Sequence, residues 1–204
     1  MKSIIIIIFS IIFLVACSEK TTEPNNNDNN NDHLFSISGT INNTNNINIP
    51  ESVRLVIAWH VTWNGPDYGY FWTEGDLDLK NNTFKISFDE TPPDICFNNG
   101  PGFKLGVAIM YLLDNVTIDE GVLDQNNFDP EKDILGYIND SAIIYLSGDY
   151  SEIVHRFIGF NEGYNFGKGW YNPGEGFDGW ENKGTDGIEL IIDSLENIKF
   201  PNWT

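Results

Sequence analysis

The residues with the most chemical potential crowd into positions 159–187. Here Phe160, Tyr164, Phe166, Trp170, Tyr171, Phe177 and Trp180 interleave with Glu162, Glu175, Asp178, Glu181 and Asp186, among nine of the chain's 19 glycines. Indole and phenol rings stack on sugar rings, and neighbouring carboxylates accept hydrogen bonds from hydroxyls. On that chemistry the candidate ligand platform is Trp170, Tyr171 and Trp180, with Asp178 and Glu181 as polar partners. The same rings also suit a plug for the open end of a sandwich poor in leucine, and the residue types alone leave both readings open. Glycine permits left-handed turns and close approach but weakens regular strands. The segment is therefore expected to be a shaped loop system pinned by its rings.

Elsewhere the chemistry is sparse. His33, His60 and His155 are far apart and no His-Glu-x-x-His occurs, so no transition-metal ligand set is expected. Calcium has two weak candidates, Glu74-Gly75-Asp76-Leu77-Asp78 and Asp114-Asn115 with Asp119-Glu120, neither in the order of an EF-hand. There is no Gly-x-Ser-x-Gly elbow, P-loop or dinucleotide fingerprint. No catalytic residue, metal ligand or cofactor is assigned, and the expectation is a protein that is not an enzyme. The alternative is an acid-pair glycan hydrolase, but with 30 acidic residues no pair can be singled out. Cys96, between Ile95 and Phe97, is expected to be a small buried residue rather than a nucleophile.

At the N-terminus, Met1-Lys2-Ser3 precedes a run from Ile4 to Ala16 that is almost unbroken apolar. That run is shorter than the ~20 residues a spanning helix needs. A basic start, an apolar stretch and a small residue are the parts of a secretory signal peptide. Leu14-Val15-Ala16-Cys17 resembles the lipobox of bacterial lipoproteins. That resemblance implies cleavage before Cys17, lipid on its thiol and acylation of the new N-terminus. Two or more acyl chains then make a stable membrane anchor. Ser18 in place of an aspartate fits the outer membrane, and the single nearby acid, Glu19, leaves its periplasmic and outer faces both open.

Residues 1–16 are thus expected to be a signal peptide and 17–33 a lipidated linker. The linker contains Asn25 to Asp32, six asparagines and two aspartates. So polar and simple a stretch cannot build a core, and would reach roughly 20–25 Å as a flexible tether. The formal charge is −19 and becomes more negative if Lys2 is removed. Nucleic-acid binding needs a basic footprint, so nucleic acid is excluded as a partner. The expected partners are the membrane, through the lipid, and a glycan or another envelope protein; a structural envelope role is a further alternative.

The elements that position these residues read as strands. Val53, Leu55, Ile57, Trp59, Val61 and Trp63 share one parity, as do Phe84, Ile86 and Phe88. From Phe103 to Leu113 both parities are apolar, which marks a central strand. Weaker strands are expected over 35–41, 69–73, 77–79, 134–138, 142–146, 153–160 and 188–192. One turn of helix is expected near Asp129-Pro130-Glu131-Lys132. Many short strands bounded by Gly, Pro, Asn and Asp make an all-β domain over 34–204, expected to be an antiparallel β-sandwich. Ile37-Ser38-Gly39-Thr40-Ile41, followed by Pro50 and Val53-Arg54-Leu55-Val56, resembles the first hairpin of immunoglobulin-like and transthyretin-like domains on bacterial secreted proteins. Gly163-Tyr164-x-x-Gly167 with Phe177-Asp178-Gly179-Trp180-Glu181 is similar to the C-terminal part of uncharacterised β-rich bacterial lipoproteins.

Overall fold

The computed structural model describes residues 34–43, 46–61, 69–100, 102–124, 130–138, 141–172, 176–185 and 187–192. They fall within one compact unit, Asp32–Thr204. Residues 1–33, over which a signal peptide, a lipidated Cys17 and a linker are expected, lie outside the described residues, as does Trp63.

The strands in chain order are β1 (Phe35–Asn43), β2 (Arg54–Val61), β3 (Gly69–Asp78), β4 (Thr83–Phe88), β5 (Phe97–Gly100), β6 (Phe103–Leu113), β7 (Ile118–Asp119) and β8 (Val122–Leu123). There follow a helical turn α1 (Pro130–Asp133), β9 (Ile134–Tyr137), β10 (Ser141–Gly148), β11 (Phe157–Ile158), β12 (Gly163–Asn172), β13 (Gly176–Asn182) and β14 (Ile188–Ile192). The expected helical turn is present at α1. The two stretches 69–73 and 77–79 join into the single strand β3. Over 153–160, only Phe157–Ile158 is strand, because Val154–Arg156 winds into a 3-10 turn.

The all-β reading holds, but the sandwich does not: seven strands close into a barrel, in the order β6-β2-β3-β4-β1-β14-β9 and back to β6. Closure depends on the short strand β9. Tyr137 pairs with Tyr111 of β6 on one side and with Ile191 of β14 on the other. An odd ring cannot alternate direction throughout, so it must hold a parallel pair; here that pair is β1–β14. Alternating apolar patterning is common to sandwiches and barrels. What separates them is this pairing between distant segments, which strand patterning does not encode.

Inside the ring lie Ile37 and Ile41 of β1, Leu55, Ile57 and Trp59 of β2, Phe84 and Ile86 of β4, Met110 and Leu112 of β6, and Leu190 and Ile192 of β14. For β2 and β4 these are the parities read from the sequence. Each buried aliphatic or aromatic side chain contributes roughly 1.5–3 kcal/mol. Cys96, fully buried, joins the same core from the segment that leads into β5.

Strand β6 outruns the ring. Its C-terminal half is flanked by β2 and β9, its N-terminal half by β5 and β10. From β10 the sheet continues through β12 and β13 to β11 as a wing. Ile143 of β10 and Phe166 of β12 join the ring's core, while the other face buries Val107, Ile144, Leu146 and Trp180 against Phe157 and Phe160. A third cluster packs Val56, Ala58, Trp72 and Leu113 under Leu123 and Ile134. These two outer covers are why β6 is apolar on both faces.

Candidate functional site

The segment 159–187 is not a loop system. Most of it is a hairpin, β12 and β13, and its glycines have a place in the register. Gly169 stands opposite Trp180, Gly179 opposite Trp170 and Gly167 opposite Asn182. A large residue across the ladder covers the backbone that glycine leaves bare, which offsets glycine's poor strand propensity. At Gly167 the room is taken by the Phe160 ring, which an added Cβ would approach to 2.5 Å. The reading from single residues saw weak strand formers; the paired residues form a strong ladder.

The hairpin extends past the sheet that supports it. Among the described residues, pairing of β12 with β10 runs to Ser141↔Lys168, whereas β12 and β13 stay paired out to Asn172↔Gly176. The outer part is therefore a two-stranded ribbon. Within it the register shifts: Trp170 faces Gly179 and Tyr171 faces Phe177, so Asp178 is the extra residue of a β-bulge. Bulges twist a strand locally and re-aim its side chains, and they concentrate near functional sites.

The five residues singled out from the sequence divide as follows. Trp180 is 5% exposed, opposite Gly169 and beside Phe157 in parallel β11. Its ring packs into the wing's own cluster with Phe157 and Phe160. Asp178 is half-buried at the bulge. Glu181 is exposed and accepts a 2.6 Å ion-pair contact from Lys183 Nζ. Being about half exposed on both sides, that pair adds little stability. Trp170 and Tyr171 occupy the ribbon in the backbone register given above, and their side chains lie outside the described residues.

Asn165, which sequence reasoning missed, anchors the ribbon's base. It is 4% exposed. Its Nδ2 donates to the Asn161 carbonyl at 2.8 Å and the Gly163 carbonyl at 3.0 Å. Its Oδ1 accepts from the Asn161 N–H at 3.1 Å and Asn182 Nδ2 at 3.3 Å. Asn182 in turn donates to the Gly159 carbonyl and accepts from the Gly184 N–H. A buried amide satisfied on this scale fixes the local backbone. Asparagine within a strand next to Gly163 was the available signal.

Further along β12, Tyr164 seats the wing against the barrel. Its ring stacks on Phe88 at 5.0 Å and Phe35 at 5.3 Å and meets Tyr145 edge-on at 4.9 Å. The hydroxyl donates to the Glu90 carbonyl at 2.6 Å. Burial, reinforced by Tyr145 and Cys96, raises its pKa. Burial likewise pushes the Cys96 thiol up to about 12, so it stays protonated and unreactive at neutral pH. On the barrel's outer face, burial lowers the pKa of His60, whose ring meets Tyr70 edge-on at 5.1 Å.

Among the described residues, no group of three or more His, Cys, Asp and Glu is placed to hold a metal ion. In the two acidic stretches, Glu74, Asp76 and Asp78 alternate along β3 and are exposed. Asp114 accepts from Ser52 Oγ and the Asn115 N–H. No protein-family model matches the sequence, and no curated protein or solved structure is significantly similar to it.

Proposed function

We propose that this chain is a lipid-anchored cell-envelope protein whose barrel presents a non-catalytic binding ribbon to a glycan or protein partner. The observation that carries the binding part is the ribbon itself. It projects past its supporting strand, is fixed at its base by Asn165 and Asn182, and bears Trp170, Tyr171 and the bulged Asp178. Aromatic residues on a rigid scaffold lose little entropy on binding and supply large contact area. The buried Trp180 supports the ladder opposite Gly169.

The anchoring part rests on Leu14-Val15-Ala16-Cys17 at the end of an apolar run and on the asparagine-rich stretch that follows. In this reading the lipid on Cys17 holds the protein at the membrane and residues 18–33 are the tether that links it to the barrel. The outer membrane is the proposed location, from Ser18 after the cysteine. The test is metabolic labelling with a palmitate analogue. The wild-type protein is expected to take up label and sediment with membranes, and Cys17→Ser to do neither. An unlabelled wild-type protein would end the anchoring proposal.

A further inference from the structure

On the barrel's outer wall, far along the ring from the wing, strands β1, β4 and β3 form a trough of about 620 Å³. It is built from two cross-strand rows. Ser38, Lys85 and Asp76 make one; Thr40, Thr83 and Asp78 make the other. All six line the trough.

The rows differ from their neighbours in one respect. Just outside the trough, polar side chains satisfy each other: Ser36 Oγ lies 3.1 Å from Ser87 Oγ, and Asn42 Nδ2 donates to Glu189 Oε1 at 2.8 Å. Inside it, Asp76 and Lys85 stand directly opposite on adjacent strands, where opposite charges ordinarily meet. Yet among the described residues their side chains make no ion pair or hydrogen bond with each other or with anything else. The hydroxyls of Ser38, Thr40 and Thr83 are likewise unused. Only Asp78 is engaged, its carboxylate accepting from the Lys80 and Asn81 N–H groups and from Asn81 Nδ2 at the β3–β4 turn.

We infer that this trough is a binding site for a neutral saccharide, separate from the ribbon. Its walls offer an acceptor in Asp76, a donor in Lys85 and three hydroxyls that do both. A sugar carries the matching set, since each of its hydroxyls both donates and accepts. Charge selects against the alternatives. A formal charge of −19 repels anionic polymers, and among the described residues no three His, Cys, Asp or Glu are grouped to hold a metal ion. The groups stand on three hydrogen-bonded strands, so their positions are set before a ligand arrives.

The test is titration calorimetry of the full chain, purified in detergent, against cellohexaose, laminarihexaose and maltohexaose. At least one is expected to bind with millimolar or tighter affinity. Asp76→Ala with Lys85→Ala should weaken that binding by about tenfold or more, because hydrogen bonds to charged groups carry most of it. The same loss is expected when Asp76→Ala and Lys85→Ala are made in a chain that already carries Trp170→Ala and Tyr171→Ala, which separates this site from the ribbon. Both trough residues are exposed, and Ser38→Ala with Thr83→Ala provides a second, milder pair. Binding of none of the three sugars would overturn the inference. So would binding that survives both trough variants or is lost only in the ribbon variant.

Discussion

Gly39 of β1 and Ile188 of β14 face each other across the parallel pair of the barrel with no room for a side chain between them. A Cβ on Gly39 would collide with the Ile188 carbonyl oxygen and come within 2.7 Å of the Phe84 ring. On the other edge of β14, a Cβ on Gly136 would sit 2.8 Å from the Ile191 carbonyl oxygen. Strand β14 is thus seated between two glycines, one on each flank.

Ring closure should therefore be sensitive to the smallest added group. Gly39→Ala and Gly136→Ala are each expected to cost about 1–3 kcal/mol, the usual range for overpacking a tight interior. The urea midpoint is the readout. An unchanged midpoint in both variants would mean that β14 does not close the ring as described.

At the ribbon's base, Asn165→Leu should destabilise the protein by about 1–3 kcal/mol, since it leaves the Asn161 and Gly163 carbonyls without their donor. The loss should fall first on the hairpin. Hydrogen exchange at the amides of β12 and β13 is expected to quicken before that of β2 and β6. Uniform exchange across all four strands would contradict this.

Alkaline stability follows from buried groups that hold their protons. The Cys96 pKa rises from 9.0 to about 12, and those of Tyr111 and Tyr164 rise from 10.0. Such groups bind more protons folded than unfolded above the unfolded pKa, so their contribution is complete below about pH 9 and declines as pH rises beyond it. The urea midpoint should fall over that window. In mildly alkaline buffer, iodoacetamide should leave the Cys96 peptide unmodified until denaturant is added. Rapid labelling in the native state would contradict the burial of this thiol.

On the acid side, burial lowers the pKa of His60 from 6.5. Below that pH the unfolded chain takes up a proton that the folded one resists, so stability present above pH 6.5 is lost as the pH falls. His60→Phe should reduce the drop in urea midpoint between about pH 7.5 and about pH 5.5. An identical drop in the variant would assign it to other groups.

Much of the barrel was legible from alternation alone. The parities of β2 and β4 are those observed, and the doubly apolar pattern of β6 correctly marked it as central. Closure was not legible, because it lies in contacts such as Tyr111↔Tyr137 and Gly39↔Ile188 between segments far apart in the chain. The hairpin β12–β13 was missed for a related reason. Glycine looks unsuited to a strand until its partner is known, and Trp180 opposite Gly169 exists only in the pair. The polar rows of the trough were invisible for the same cause: Ser38, Lys85 and Asp76 belong to three different strands.

The most direct measurement compares the full chain with its Trp170→Ala, Tyr171→Ala variant, both held in detergent, for binding to detergent-solubilised cell-envelope components, so that the lipid on Cys17 cannot carry the contact; thermal unfolding is run in parallel. The variant is expected to keep the wild-type melting temperature and to bind at least about tenfold more weakly. Equal binding by a folded variant would contradict the ribbon as the contact surface. A variant that unfolds would show the two rings to be part of the core, and the binding proposal would lose its basis.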